Sequence, residues 1–138
     1  MSEIVTSEVL ADTDRHRLVD LRLGLLRLHK VLLEMERINY EKIHGEVNSG
    51  ELLQLVLNHP QFNWLRIISE LMVEIDEALD GDEPATVSDF ENLISQTRLL
   101  FASPENEEFK TRYQAALQRE PEVVVAHSVV MQLLRKAD

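Results

Sequence analysis

The chain of 138 residues has no cysteine. Disulfides, thiolate nucleophiles and cysteine-based zinc sites are therefore excluded, and such a composition suits a reducing cytoplasm. Glycine and proline together number only eight, too few for a sandwich of many tight turns or for a collagen-like repeat. Basic residues are scarce: fourteen stand against twenty-five acidic ones, leaving a formal charge of −11 with histidines neutral. Long apolar runs are missing as well. The most hydrophobic uncharged run, residues 123–134, is about half the ~20 residues a bilayer requires and contains His127, Ser128 and Gln132. The first residues are acidic where a secretory leader carries positive charge, so a soluble, cytoplasmic protein is expected. Hydrophobic residues nevertheless make up 44%, enough to fill the core of a single domain.

The charge is unevenly spread. Residues 15–48 hold seven basic and five acidic side chains, whereas residues 49–83 hold one base, Arg66, against eight acids. A nucleic-acid binder gathers Lys and Arg to displace counterions from phosphates, and here the most polarised segment has the opposite sign. Nucleic acid and anionic membrane are disfavoured as partners and a basic protein partner is allowed, the competing reading being that the charge merely keeps the chain soluble.

Apolar spacing predicts helices throughout. Over residues 13–46, Leu18, Leu21, Leu25, Leu28, Leu32 and Met35 alternate threes and fours. Ten of the sixteen residues from 18 to 33 are Leu or Val, more than one narrow stripe holds, so this helix is expected to meet neighbours on two sides. Gly45 and then Asn48, Ser49 and Gly50 stop it. Asn48 with Glu51 has capping-box spacing for a short helix, which ends at His59-Pro60. Pro60 is placed to open a helix to about Leu79, with Trp64, Leu65, Ile68, Leu71, Met72 and Ile75 on one face. A fourth helix is expected from near Ser88, a fifth after Ser103-Pro104-Glu105, and a last one after Pro121.

The fold class read from this pattern is all-α: a bundle of five or six helices with a long first helix. Residues 1–12 read as a flexible or short lead-in segment and residues 13–138 as a single helical-bundle domain. A first helix of roughly 50 Å outreaches a neighbour of ~30 Å at about 1.5 Å per residue. It must bend, with Gly24 a candidate, or overhang. A leucine-rich overhang needs a cover, and a homodimer through the first helices or the last helices folding back would each supply one.

The chemical motifs are fragmentary. Glu41 and His44 have the Glu-x-x-His spacing of ferritin-like di-iron bundles, but no other histidine has a carboxylate three residues before it. Arg37 and His44 have the Arg-x6-His spacing of some helical ribonucleases of the HEPN type, yet Ile38 and Glu46 stand where that pattern has asparagine and tyrosine. Arg22 and His29 repeat the same interval. His16, His29, His44, His59 and His127 include no pair four apart, as a hemerythrin-like site would use. His127 reads as a partly buried, hydrogen-bonded side chain. Asp80, Asp82 and Glu83 lack the alternating ligand series of an EF-hand. No catalytic residue, metal ligand or cofactor is assigned from the sequence.

The polar group best suited to binding is Glu36, Arg37, Tyr40 and Glu41 on the first helix with Trp64 and Arg66 on the third. Spacings of three and four can join them into one surface, and Trp, Tyr and Arg dominate binding hot spots. The competing structural reading places Trp64 in the core with Arg66 lying over it. Residues 28–37, including His29, Lys30, Met35 and Arg37, and residues 62–71, including Phe62, Trp64 and Ile68, resemble segments of short, uncharacterised helical proteins of bacteria. That resemblance implies a bacterial, cytoplasmic setting and carries no activity. The expected function is a non-enzymatic interaction or regulatory bundle that binds a protein partner, or itself, through helix faces. The alternative is a metal- or ligand-binding bundle built on the stretch between Glu36 and His44.

Overall fold

A computed structural model describes residues 8–137. Among them are six α-helices: α1 (Asp12–His44), α2 (Ser49–Asn58), α3 (Arg66–Asp80), α4 (Val87–Ala102), α5 (Glu107–Arg119) and α6 (Pro121–Lys136), with a 3-10 turn (Pro60–Leu65) between α2 and α3. The all-helical bundle with a long first helix is thus the fold.

Helix α1 is the spine, and it does meet neighbours on two sides. Its buried positions are Leu18, Leu21, Gly24, Leu25, Leu28, Leu32 and Glu36. Helix α6 packs along one flank, and α3 with the 3-10 turn along another. Gly24 does not break the helix, which runs on to His44. It is instead where α6 packs tightly against α1, for a Cβ there would stand 3.0 Å from Leu133 Cδ1 and 3.5 Å from Val130 Cγ2. The folding back of α6 therefore covers the leucine-rich middle of α1. Gly45 closes the helix at φ 86°, donating its N–H to the Glu41 carbonyl; only glycine takes that backbone conformation without cost.

Caps set most of the remaining boundaries. The Asn48 side chain accepts from Glu51 N–H at 2.8 Å and starts α2. Pro60 opens a 3-10 turn rather than an α-helix, its start held by the His59 ring, whose Nδ1 accepts from Gln61 N–H at 3.1 Å. This tighter winding sends Phe62, Trp64 and Leu65 all into the core. Helix α4 carries a full capping box, Thr86 Oγ1 accepting from Asp89 N–H while Asp89 Oδ2 accepts from Thr86 N–H. At α5 the expected Ser103-Pro104 start is displaced: Asn106 is the N-cap, its side chain accepting from Phe109 N–H at 3.0 Å. Replacing Asn106 with alanine should cost about 1 kcal/mol of stability, and Ser103→Ala very little. Urea midpoints of the two variants check this.

Residues 1–7 lie outside the described residues, so most of the lead-in segment does too. Its last part pairs with the α3–α4 loop. Leu10 N–H donates to the Ala85 carbonyl and Val87 N–H to that of Glu8, forming one antiparallel bridge between Val9 and Thr86.

Candidate functional site

The six residues singled out for binding do not form one surface. Glu36 is buried, and its Oε2 accepts from the Trp64 indole N–H at 2.8 Å. Gln61 Nε2 donates to the Glu36 carbonyl at 3.0 Å and approaches Oε1 at 3.4 Å, while Arg112 Nη1 lies 3.6 Å from Oε2. The structure brings Glu36 and Trp64 together as a polar tie between α1, the 3-10 turn and α5. Arg37 points elsewhere, bonded to Glu34 and, at 2.6 Å, to Glu41. The bond to Glu34 is the main cause that raises the guanidinium pKa, and it holds the Glu34 carboxyl below its ordinary value. Glu41 Oε2 also accepts from Val47 N–H at 2.9 Å, fastening the turn after α1. Tyr40 belongs to a separate aromatic group with His44, His59 and Phe62, at centroid distances of 4.4, 5.4 and 6.2 Å. Arg66 is exposed and donates to the Leu57 carbonyl at 3.2 Å, closing the end of α2 rather than covering Trp64.

Polar ties along α1 recur every seven residues. Arg15 donates to the Leu79 carbonyl, Arg22 pairs with Asp76 (Nη2 to Oδ2, 3.1 Å), His29 Nε2 hydrogen-bonds Ser69 Oγ at 3.0 Å, and Glu36 receives Gln61 and Trp64. Partner numbers fall as α1 numbers rise, so the ladder fixes α1 antiparallel to α3 and to the turn before it. The Arg22–His29 interval is two rungs of this ladder. No three His, Cys, Asp or Glu side chains among the described residues converge as metal ligands.

A second, partly buried pair joins α5 to α6. Tyr113 Oη and His127 Nδ1 are 2.7 Å apart, with Phe101 against both rings and Phe109 stacked on Tyr113. Burial raises the phenol pKa and lowers that of His127, which favours the neutral form of both groups. His29 is also lowered by burial from the ordinary 6.5. The folded state therefore binds fewer protons than the unfolded chain below that value. The resulting stability is fully present above 6.5 and is lost as pH falls toward the depressed folded values. Urea midpoints measured from about pH 7.5 down to about pH 5.5 should decline, and the double variant His29→Gln with His127→Gln should flatten that decline.

An open feature lies between α3 and α4. Two adjoining hollows, of about 430 and 710 Å³, share Glu74 and Gln96. Ile67 and Leu71 of α3 with Leu93 and Leu100 of α4 supply the apolar floor, and the exposed Leu99 stands on the rim. Glu70, Glu74 and Glu105 border one hollow, and Glu77, Asp82, Glu83 and Asp89 the other. All seven carboxylates are exposed, and no Lys, Arg or His lines either hollow among the described residues. The acidity of residues 49–83 was legible in the sequence; the contribution of Asp89 and Glu105 from the facing side was not, because it depends on how α4 docks. No helix of the described residues is long and apolar enough to cross a membrane. No protein-family model, curated protein or solved structure matches the chain.

Proposed function

We propose that the chain is a non-enzymatic helical bundle that works by binding another protein through its helix faces, in a bacterial cytoplasm. The observation that carries this reading is the α3–α4 groove, which the described residues leave uncovered around the partly buried Ile67 and the exposed Leu99. A helix laid in such a groove buries its own apolar stripe there, a common mode of peptide recognition. The polar side chains that the sequence offered for chemistry are paired within the chain, some between helices and Arg37 within α1. Glu36 is tied to Trp64 and Gln61, Arg37 to Glu34 and Glu41, and Tyr113 to His127. Exposed apolar side chains also remain on α2, where none of the five Leu and Val residues is buried, and at Ile43, which is 80% exposed. They offer further contact area near the end of α1, for a partner or for a second copy.

Photo-crosslinking in the native host tests the reading. A crosslinker at Leu99 should give a discrete protein adduct, and one at Asp20 on α1 should not. Equal labelling from both positions, or none from Leu99, would count against an interaction role. Metal analysis of the purified protein tests the alternative, since stoichiometric iron, manganese or zinc would favour a metal-binding bundle near Glu36 and His44.

A further inference from the structure

We infer that the α3–α4 groove receives a basic amphipathic helical segment of a partner protein. The inference rests on the interaction reading above and specifies the chemistry of the partner.

Three observations converge on it. The first is the arrangement of charge around the apolar floor. Glu70, Glu74 and Glu77 stand at intervals of four and three, so they form a single stripe along one edge of α3. A helix whose leucines enter the floor would present its flanking Lys or Arg residues to that stripe.

The second is the distribution of charge within α3 itself. Like charges at these intervals destabilise a helix. The last turn of α3 carries no basic residue, although a helix C-terminus favours cations. Glu77 and Asp80 occupy that end, and Asp82 and Glu83 follow directly. Arg15 and Arg22 from α1 serve the side facing that helix, Arg15 at the Leu79 carbonyl of the last turn and Arg22 at Asp76 with a further attraction to Asp80, and neither pairs with the Glu70, Glu74 and Glu77 stripe. No ion pair among the described residues engages Glu70, Glu74 or Glu77. The isolated chain thus tolerates local repulsion where a cationic occupant would turn it into attraction.

The third is shape. A groove flanked by a helix of 15 residues is roughly 22 Å long at about 1.5 Å per residue, which matches a four-turn helix. The described residues contain a single isolated bridge and no sheet edge to which an extended peptide could add as a strand.

The probe is a synthetic four-turn amphipathic peptide with leucines on one face and lysines elsewhere. Two relatives accompany it: one with glutamate for every lysine, one with serine for every leucine. Binding to the full chain is read by fluorescence anisotropy at low and high salt. The lysine–leucine peptide should bind and weaken with salt, and each relative should bind about tenfold more weakly or worse. The triple variant Glu70→Lys, Glu74→Lys and Glu77→Lys should also lose about tenfold. Its net-charge match, Glu46→Lys, Glu91→Lys and Glu122→Lys, should lose little. Circular dichroism checks that both variants fold.

Failure of the lysine–leucine peptide to bind overturns the inference. So does equal binding by the serine peptide, which would leave charge alone as the cause, or equal losses in the two triple variants, which would indicate only the overall field. A second copy could also fill the groove, using the exposed Val19, Leu23, Arg27 and Lys30 along α1. Concentration-dependent oligomers in sedimentation, abolished by the groove variant and by Arg27→Glu, would assign it so and exclude a foreign partner. A Leu99 adduct with a partner that the basic peptide does not displace would sink this inference and leave the interaction role standing.

Discussion

Trp64→Ala should lower the stability of the bundle by about 3–5 kcal/mol, a large share of the 5–15 kcal/mol typical of a domain. Two losses combine. Trp64 is buried against Phe109, at a centroid distance of 5.8 Å, so truncation leaves a cavity where α1, α5 and the 3-10 turn meet. It also removes the indole N–H from Glu36 Oε2, leaving a buried acidic side chain with only Gln61 and the more distant Arg112 nearby. Trp64→Phe separates the two. It keeps most of the aromatic volume and deletes only the donor, so a cost of about 1–3 kcal/mol is expected. Chemical denaturation followed by circular dichroism measures both. Equal stability of the phenylalanine variant and the native chain would show that the indole–carboxyl bond contributes nothing.

The second large effect concerns two leucines only two positions apart. Leu25→Ala is expected to cost about 2–5 kcal/mol and Leu23→Ala no more than about 0.5 kcal/mol. Leu25 is 0% exposed, whereas Leu23 is 55% exposed despite belonging to the same leucine-rich run. The contrast arises from the rotation of α1 between its neighbours. The Leu18, Leu21, Leu25, Leu28 and Leu32 row faces inward, and Gly24 gives the adjoining surface to α6. Similar losses from both substitutions would mean that the outer face of α1 is covered as well, as it would be in a dimer through first helices. Denaturation at two protein concentrations makes that comparison direct.

These leucines also show where sequence reasoning succeeds and where it stops. Heptad spacing identified the inward row of α1 because burial at intervals of three and four is a local consequence of helical geometry. For the same reason local signals located the C-terminus of α1 at Gly45, the start of α2 at Asn48 and the start of α6 at Pro121. At α5 two local signals competed, and Asn106 provided the cap although Ser103-Pro104 carried the stronger proline signal. After Pro60 the chain winds more tightly than helix propensity suggests, since packing Phe62, Trp64 and Leu65 together decides the matter. The candidate site was less legible. Spacing alone could not tell that Glu36 turns inward to Trp64 while Arg37, one residue on, stays with Glu34 and Glu41. The Arg22–His29 interval was visible, but its extension to Arg15 and Glu36 and its meaning needed partners more than twenty residues away. The groove depends on two helices lying side by side, and no single segment announces it.

The closure of α1 by α6 has a consequence for biosynthesis. The two helices are separated by most of the chain, yet the core positions of one are completed by Val123, Ala126, Val130 and Leu134 of the other. At about 5–20 residues per second, a ribosome needs several seconds after finishing the first helix to produce the last. During that interval the nascent leucine row has no permanent neighbour on one side. Exposed apolar surface of that kind is aggregation-prone, so chains truncated before Pro121 should pellet as insoluble product where the full chain does not.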